Sequence, residues 1–280
     1  MSVNVAILES LGVSQAELEQ ALAPLEAQGV CFQTYERTDD VDTLIQEAKD
    51  ADVLFLANLP LPGKVIAACP KLKYINIAFT GVDHVDLAAC RARGIQVSNA
   101  SGYSDQAVAE LALGLTLNLL RQLNLSDTLL RQGGSRPDRP GREIAGKTVG
   151  IVGLGHIGSK SAALFHALGA RVVAQSRHPH PQAPGYIEQV TDLADLLPQA
   201  DIVLLHCPLN DSTRGLINRR TLALMKPEAI LINVARGPVV NSADLAEALQ
   251  NEQLAGAGVD VFDQEPPLPA TEPLLQAPHT

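Results

Sequence analysis

The residues in this 280-residue chain whose types and spacing could do chemistry cluster at the ends of short apolar runs. Gly153, Gly155 and Gly158 stand in the spacing G-x-G-x-x-G directly after Val149-Gly150-Ile151-Val152. Glycines so placed permit a tight turn, close approach of backbone to a pyrophosphate, and close packing of a helix on a strand. The helix that follows offers free N–H groups and a positive dipole end to phosphate oxygens. Arg236 stands just after the run Ala229 to Val234 and before the turn residue Gly237, where its planar fork suits a bidentate carboxylate partner. His206-Cys207-Pro208 ends the run Ile202 to Leu205, and Asp260 belongs to Ala257 to Phe262, with Glu265 just beyond. In open parallel sheets ligands bind outside the carboxyl ends of the strands, which is where the glycine loop, His206 to Pro208, Arg236 and the segment after Asp260 fall. Taken alone, Glu265 before two prolines reads as a solvated loop acid, and Asp260 is ambiguous.

The elements that must position these residues alternate. Val3 to Leu8 reads as a strand, and Ser14 can cap a helix to about Ala27, ended by Gly29. Cys31 to Tyr35 (strand), Val41 to Ala51 (helix), Val53 to Leu56 (strand) and Lys64 to Cys69 (helix) follow. Leu72 to Ala78 (strand), Leu87 to Arg93 (helix) and Ile95 to Val97 (strand) complete the first series. Such alternation means parallel strands covered by helices. The helix from Ser104 is apolar nearly all round, with Val108, Leu111, Ala112, Leu115 and Leu119 on one face and Ala109, Leu113, Leu117 and Leu120 on others. It is expected to be buried between two domains or two subunits. Gln132 to Gly141 is the clearest break. Lys147 to Arg177 then forms a βαβ unit of about thirty residues. His178-Pro179-His180-Pro181 is irregular. A helix near Asp192 to Leu197, the strands Ile202 to Leu205 and Ala229 to Val234, the helix Ser242 to Gln250 and the strand Ala257 to Phe262 make a second parallel series.

Hydrophobic content of 46% and charged content of 19% describe a globular chain long enough for two domains. The formal charge of −10 argues against nucleic-acid or anionic-membrane partners. Cys31, Cys69, Cys90 and Cys207 show no metal spacing, so no metal site is expected, and they read as reduced thiols. The start MSVNVAILES lacks signal-peptide features and no apolar stretch spans a bilayer, so a cytoplasmic chain is expected.

Several motifs occur in order: Thr80-Gly81-Val82-Asp83-His84-Val85-Asp86, Val108-Ala109-Glu110, the GLGHIG loop and His206-Cys207-Pro208-Leu209, then Asn233-Val234-Ala235-Arg236-Gly237 and Asp260-Val261-Phe262-Asp263-Gln264-Glu265-Pro266. In these the chain resembles the D-isomer-specific 2-hydroxyacid dehydrogenases over essentially its whole length. The resemblance implies an α/β architecture of two open parallel-sheet domains. Residues 1–99 would form a flavodoxin-like substrate domain and residues 100–280 a Rossmann dinucleotide domain. It implies hydride transfer from a nicotinamide, lying in the cleft between domains, to C2 of a small 2-oxo acid such as hydroxypyruvate or glyoxylate. Arg236 would hold the substrate carboxylate and polarise the carbonyl, with Thr80 and the backbone N–H groups of Gly81 and Val82 on the carboxylate's other side. Glu265 would orient a proton-donating histidine. Gly153, Gly155, His156, Ile157, Gly158, Ser176, Arg177, His206, Cys207, Pro208, Val234, Ala235 and Asp260 would line the cofactor. Family members pair through the region of the Ser104 helix, which implies a homodimer.

Two departures from the family pattern stand out. The family's catalytic histidine lies in a Thr-Pro-His segment beyond a Pro-Leu run like Pro273-Leu274, and the chain stops at Thr280, short of it and of the helix that closes the first domain. His279, in Ala277-Pro278-His279-Thr280, resembles the turn before that segment. The second βαβ strand ends Gln175-Ser176-Arg177, with no carboxylate to take an adenosine ribose and an arginine that could pair with a 2′-phosphate. NADP is therefore expected over NAD. The rival readings are a dinucleotide-sensing, corepressor-like or catalytically impaired binding protein, and a formate or phosphonate dehydrogenase.

Overall fold

A computed structural model describes residues 2–135, 140–264 and 267–280 of the chain. It divides into two compact units, Met1–Tyr103 and Ser104–Thr280. The division falls between Tyr103 and Ser104, against the boundary at Asn99–Ala100 expected from sequence.

The first unit runs β1 (Val3–Ile7), α1 (Gln15–Glu26), β2 (Val30–Thr34), α2 (Val41–Ala48), β3 (Val53–Leu56), α3 (Gly63–Ala67), β4 (Tyr74–Ile77), α4 (Leu87–Arg93) and β5 (Gln96–Asn99). The five strands pair in parallel in the order β2-β1-β3-β4-β5, which is the flavodoxin-like arrangement. Leu54 and Leu56 of β3 and Ile75 and Ile77 of β4 are fully buried and pack with Val65 and Ile66 of α3. Helix starts are fixed by side chains that satisfy orphan N–H groups. Ser14 and Glu17 form a capping box on α1, Asp40 caps α2 through Thr43, and Asp86 caps α4 through Ala89. Gly94, at φ 67°, ends α4 in the left-handed region.

The second unit runs α5 (Asp105–Arg121), α6 (Leu123–Arg131), β6 (Thr148–Val152), α7 (His156–Ala167), β7 (Arg171–Gln175), β8 (Ile187–Val190), α8 (Leu193–Leu196), β9 (Ile202–Leu205), α9 (Arg219–Leu222), β10 (Ile230–Asn233), α10 (Ser242–Gln250) and β11 (Gly256–Val259). Its parallel strands lie in the order β8-β7-β6-β9-β10-β11, the doubly wound dinucleotide-binding arrangement. β9 and β10 are buried at every position, as strands covered on both faces must be. One layer packs Phe165 of α7 with Val149, Ile151 and Ile230, and the other packs Val203 and Leu231 with Leu245 and Leu249 of α10.

The observed elements differ in detail from the sequence reading. Within the single chain the helix from Ser104 buries Ala109, Ala112, Thr116 and Leu120, while Leu111 and Leu117 are 38% and 39% exposed. Its inner face meets α7 and the small residues of β11, where Leu115 and Leu119 lie against Gly258 and Gly256. The left-handed Gln122, at φ 53°, breaks the apolar text into α5 and a separate α6, which leaves Leu123, Leu125 and Leu130 exposed. The edge strand β8 went unseen because only Ile187 of its four residues is buried. Asp260 follows β11 and is not part of it. Among the described residues no helix is long and apolar enough to cross a membrane, and no group of three or more potential metal ligands occurs.

Candidate functional site

The glycine loop joins β6 to α7 at the carboxyl edge of the second sheet. Gly153 sits at φ 100°, and a Cβ there would lie 2.8 Å from the backbone of His206 and Cys207. A Cβ on Gly158 would lie 2.1 Å from the Gly153 carbonyl oxygen. These two glycines are required by close packing of chain on chain. Gly155 is different: a Cβ there would meet nothing within 4 Å, and the residue is the N-cap of α7 with no side chain to cap the first turn. The result is open space in front of unsatisfied helix N–H groups, which fits the phosphates of a dinucleotide. His156 and Ile157 open the helix, and the exposed His156 ring lies 3.6 Å from Asp105 of α5.

Ser176 and Arg177 follow β7, whose last residue Gln175 pairs with Val152 and accepts the Gly153 N–H at 2.9 Å. They therefore flank the glycine loop on one side. Ser176 Oγ donates to the His178 carbonyl at 2.8 Å, and Arg177 is exposed and in no ion pair among the described residues.

His206, Cys207 and Pro208 flank the loop on its other side, after β9. His206 is half-buried, and desolvation of its ring pulls its pKa down to about 4. It is neutral at pH 7 and shares a 2.9 Å hydrogen bond with the buried Ser161 of α7. Burial pushes the Cys207 thiol up to about 11, so it is not a nucleophile near neutrality. Thr213 Oγ1 donates to the Pro208 carbonyl at 2.6 Å and holds this turn.

Arg236 follows β10 in a loop organised by Asn233. The buried Asn233 accepts the Ala235 N–H at 3.1 Å and donates to the Arg236 carbonyl at 3.0 Å. Arg236 itself donates to the Ala235 carbonyl at 2.7 Å. Val234 and Ala235 are buried. Gly237 lies so close to the chain after β11 that a Cβ would stand 1.9 Å from the Phe262 carbonyl carbon. The exposed Asp260, whose N–H donates to Asn233 at 3.0 Å, starts that segment. Glu265 lies outside the described residues.

In the first unit Thr80, Gly81 and Val82 follow β4. Asn99, at the end of β5, donates to the Thr80 carbonyl at 2.6 Å and fixes the turn. Among the described residues the N–H groups of Gly81 and Val82 donate to no protein acceptor. His279 is placed apart from every residue of the second unit's site. Its carbonyl accepts the Ala257 N–H at 2.9 Å at the start of β11, whereas Arg236 and the glycine loop lie at the opposite ends of the strands. The cavity lined by His279, Arg142 and Gln122, about 440 Å³, is at that same far edge. Ser161 and Asn233 are the members that sequence reasoning gave no role. A polar residue ending an apolar strand was the available signal for Asn233, and nothing local marks Ser161.

The sequence model described as "D-isomer specific 2-hydroxyacid dehydrogenase, NAD binding domain" matches residues 113–280. The chain belongs to the D-isomer specific 2-hydroxyacid dehydrogenase family. It is 33% identical to a hydroxypyruvate reductase of Blautia hydrogenotrophica, over 98% of this chain and 87% of that one. It is 40% identical to a D-3-phosphoglycerate dehydrogenase of Mycobacterium tuberculosis, over 81% of this chain and 44% of that longer protein. The crystal structure of an NADPH-dependent glyoxylate/hydroxypyruvate reductase from Sinorhizobium meliloti, in complex with NADP and malonate, superposes with a TM-score of 0.86 at 31% identity, over 99% and 84% of the two chains.

Two outcomes are expected from this geometry. Gly158→Ala forces the start of α7 away from the Gly153 carbonyl, and dinucleotide affinity measured by nicotinamide fluorescence should fall at least on the order of tenfold. Acid should destabilise the second unit through His206. Because its folded pKa lies below the unfolded value of 6.5, the unfolded chain binds the proton first. Stability is full above pH 6.5 and falls as pH drops toward 4, by on the order of 3 kcal/mol from this group. Urea unfolding of wild type and His206→Asn between pH 7 and pH 4.5 checks this, and an equally steep loss in the variant would refute it.

Proposed function

We propose that this protein reduces a small 2-oxo acid, of the glyoxylate or hydroxypyruvate kind, to the D-2-hydroxy acid with a nicotinamide dinucleotide. The observation that carries the reading is the sharing of one sheet edge, within a family member, by a phosphate-receptive helix start and an arginine held by Asn233. β6 and β10 are separated only by β9, so Arg236 and the glycine loop stand about two strand spacings apart, roughly 10 Å. The dinucleotide, when bound, supplies the hydride. The first unit contributes substrate binding and the second unit cofactor binding.

The chain's own groups divide the remaining work. Gly155, His156, Ile157 and Gly158 hold the pyrophosphate through backbone N–H groups. Gly153 keeps the turn tight. Neutral His206, the Cys207 thiol, Pro208, Val234 and Ala235 supply an uncharged wall that excludes water from the nicotinamide side, with Asp260 at its rim. Arg236 binds the substrate carboxylate and draws electron density from the adjacent carbonyl, which favours attack at C2. The N–H groups of Gly81 and Val82, with Thr80, hold the other side of the carboxylate. Glu265 orients the proton donor. The relatives' names and the malonate held by the Sinorhizobium protein support a small acid substrate.

NADP is favoured over NAD. The family description names NAD and the Sinorhizobium structure holds NADP, so the preference rests on Ser176 and the exposed Arg177. The exposed leucines of α5 and α6 support pairing of two copies into a homodimer. The four free cysteines support a reducing, cytoplasmic setting.

Two measurements test this. Absorbance at the nicotinamide band with a panel of 2-oxo acids should show turnover, and Arg236→Lys should lower kcat/KM on the order of a hundredfold while the dinucleotide still binds. No turnover with any acid despite dinucleotide binding would replace the enzyme with a dinucleotide-sensing binding protein. In fluorescence titration NADPH should bind more tightly than NADH, and Arg177→Ala should weaken NADPH alone by about tenfold. Tighter NADH binding by the wild type would overturn the preference.

A further inference from the structure

The first unit contains a buried carboxylate that the reaction above does not use. Glu9 lies two residues beyond β1 and is 3% exposed. Its Oε1 accepts the N–H groups of Ala57 and Leu59, each at 2.7 Å. Its Oε2 pairs with the Arg37 guanidinium, which also donates to Asn58 Oδ1 at 2.7 Å. Two backbone N–H groups on one loop, converging with a guanidinium, are a donor set suited to an external phosphate or carboxylate. Here the anion is the protein's own side chain.

Its place on the sheet makes this consequential. In the order β2-β1-β3-β4-β5 the chain reverses direction between β1 and β3, and ligands of such sheets bind in the crevice outside the carboxyl ends at that point. Glu9 follows β1, Ala57 to Leu59 follow β3, and Arg37 follows β2. β4 is next along the edge and leads to Gly81 and Val82, whose N–H groups are open. Two strand spacings, roughly 10 Å, separate the strand ends leading to Glu9 and to that loop, a span comparable to a three-carbon acid carrying a phosphate.

We propose that Glu9 is a specificity-determining residue. It fills the anion-binding nest of the first unit and neutralises Arg37, so the enzyme accepts 2-oxo acids with a small uncharged substituent and rejects those with a second acidic group. The inference rests on the 2-oxo acid reading above and adds the charge of the substrate's far end.

Glu9→Gln is a clean probe because both backbone bonds go to one oxygen, which the amide keeps, while the oxygen facing Arg37 becomes an NH2 group. The experiment compares kcat/KM for hydroxypyruvate and for its phosphorylated counterpart in wild type, Glu9→Gln and Arg37→Ala, with thermal melts to establish folding. Wild type should strongly favour the unphosphorylated acid. Glu9→Gln should shift the ratio toward the phosphorylated acid by roughly tenfold or more, the scale of one charge-assisted hydrogen bond. Arg37→Ala should give no such shift. A wild type that uses both acids equally well, or a folded Glu9→Gln with an unchanged ratio, overturns the role of Glu9 while the 2-oxo acid reading stands. If Glu9→Gln does not fold, the wild-type ratio alone decides. No turnover of either acid, or of glyoxylate, by the wild type overturns the functional reading and the inference together.

Discussion

The second unit depends on how closely α7 can approach the end of β6. The carbonyl of Gly153 and the α carbon of Gly158 are so near that one added carbon would lie 2.1 Å from the oxygen. This proximity points the free N–H groups of the first helical turn outward over the sheet edge. It also draws Gly153 against the backbone of His206 and Cys207, so the turn after β9 takes its position from the same contact. The enclosure that lowers the His206 pKa to about 4 comes from that packing, with Ser161 of α7 as its polar partner. A larger residue at either glycine would displace the start of α7 or the turn after β9.

The loop after β10 is built on a different constraint with the same logic. Gly237 permits backbone to touch backbone beyond β11, and Asn233 replaces the hydrogen bonds that the strand can no longer make. An arginine at the end of a four-residue buried strand would otherwise have a mobile backbone and a large entropic cost of orientation. The asparagine fixes the backbone on which Arg236 stands and removes that part of the cost.

Much of this was legible in the residues. Both parallel series, the glycine loop and the edge that carries Arg236 follow from short apolar runs broken by glycine, because strands buried on both faces leave that text whatever their neighbours. What was not legible depended on distant chain. Ser161 reads as an ordinary helical residue until His206, 45 positions away, is placed on it. β8 has only one buried residue and so no periodic signal. The helix from Ser104 carries leucines on all its faces, and within one chain Leu111 and Leu117 remain open while Ala109, Ala112, Thr116 and Leu120 are buried. Composition reports how apolar a helix is, and packing decides which face is spent on its own unit.

Charge is handled in opposite ways by the two sheet edges. The protein carries a formal charge of −10, yet the carboxyl edge of the second sheet holds a helix N-terminus, Arg177 and Arg236, with His206 and Cys207 held neutral by burial. Neutral walls raise the strength of the remaining positive groups, since fewer mobile charges screen them. At the carboxyl edge of the first sheet the strongest cation near the β1–β3 reversal, Arg37, is matched by the chain's own Glu9. Open N–H groups at Gly81 and Val82 remain there as weaker, directional donors. An anionic ligand with one carboxylate needs only one full cation and a few dipoles, and a second cation left unmatched would reward heavier anions over it. Neutralising Arg37 from within is therefore a way to bind a monoanion without also attracting a polyanion, and it costs little because two backbone N–H groups share the buried charge.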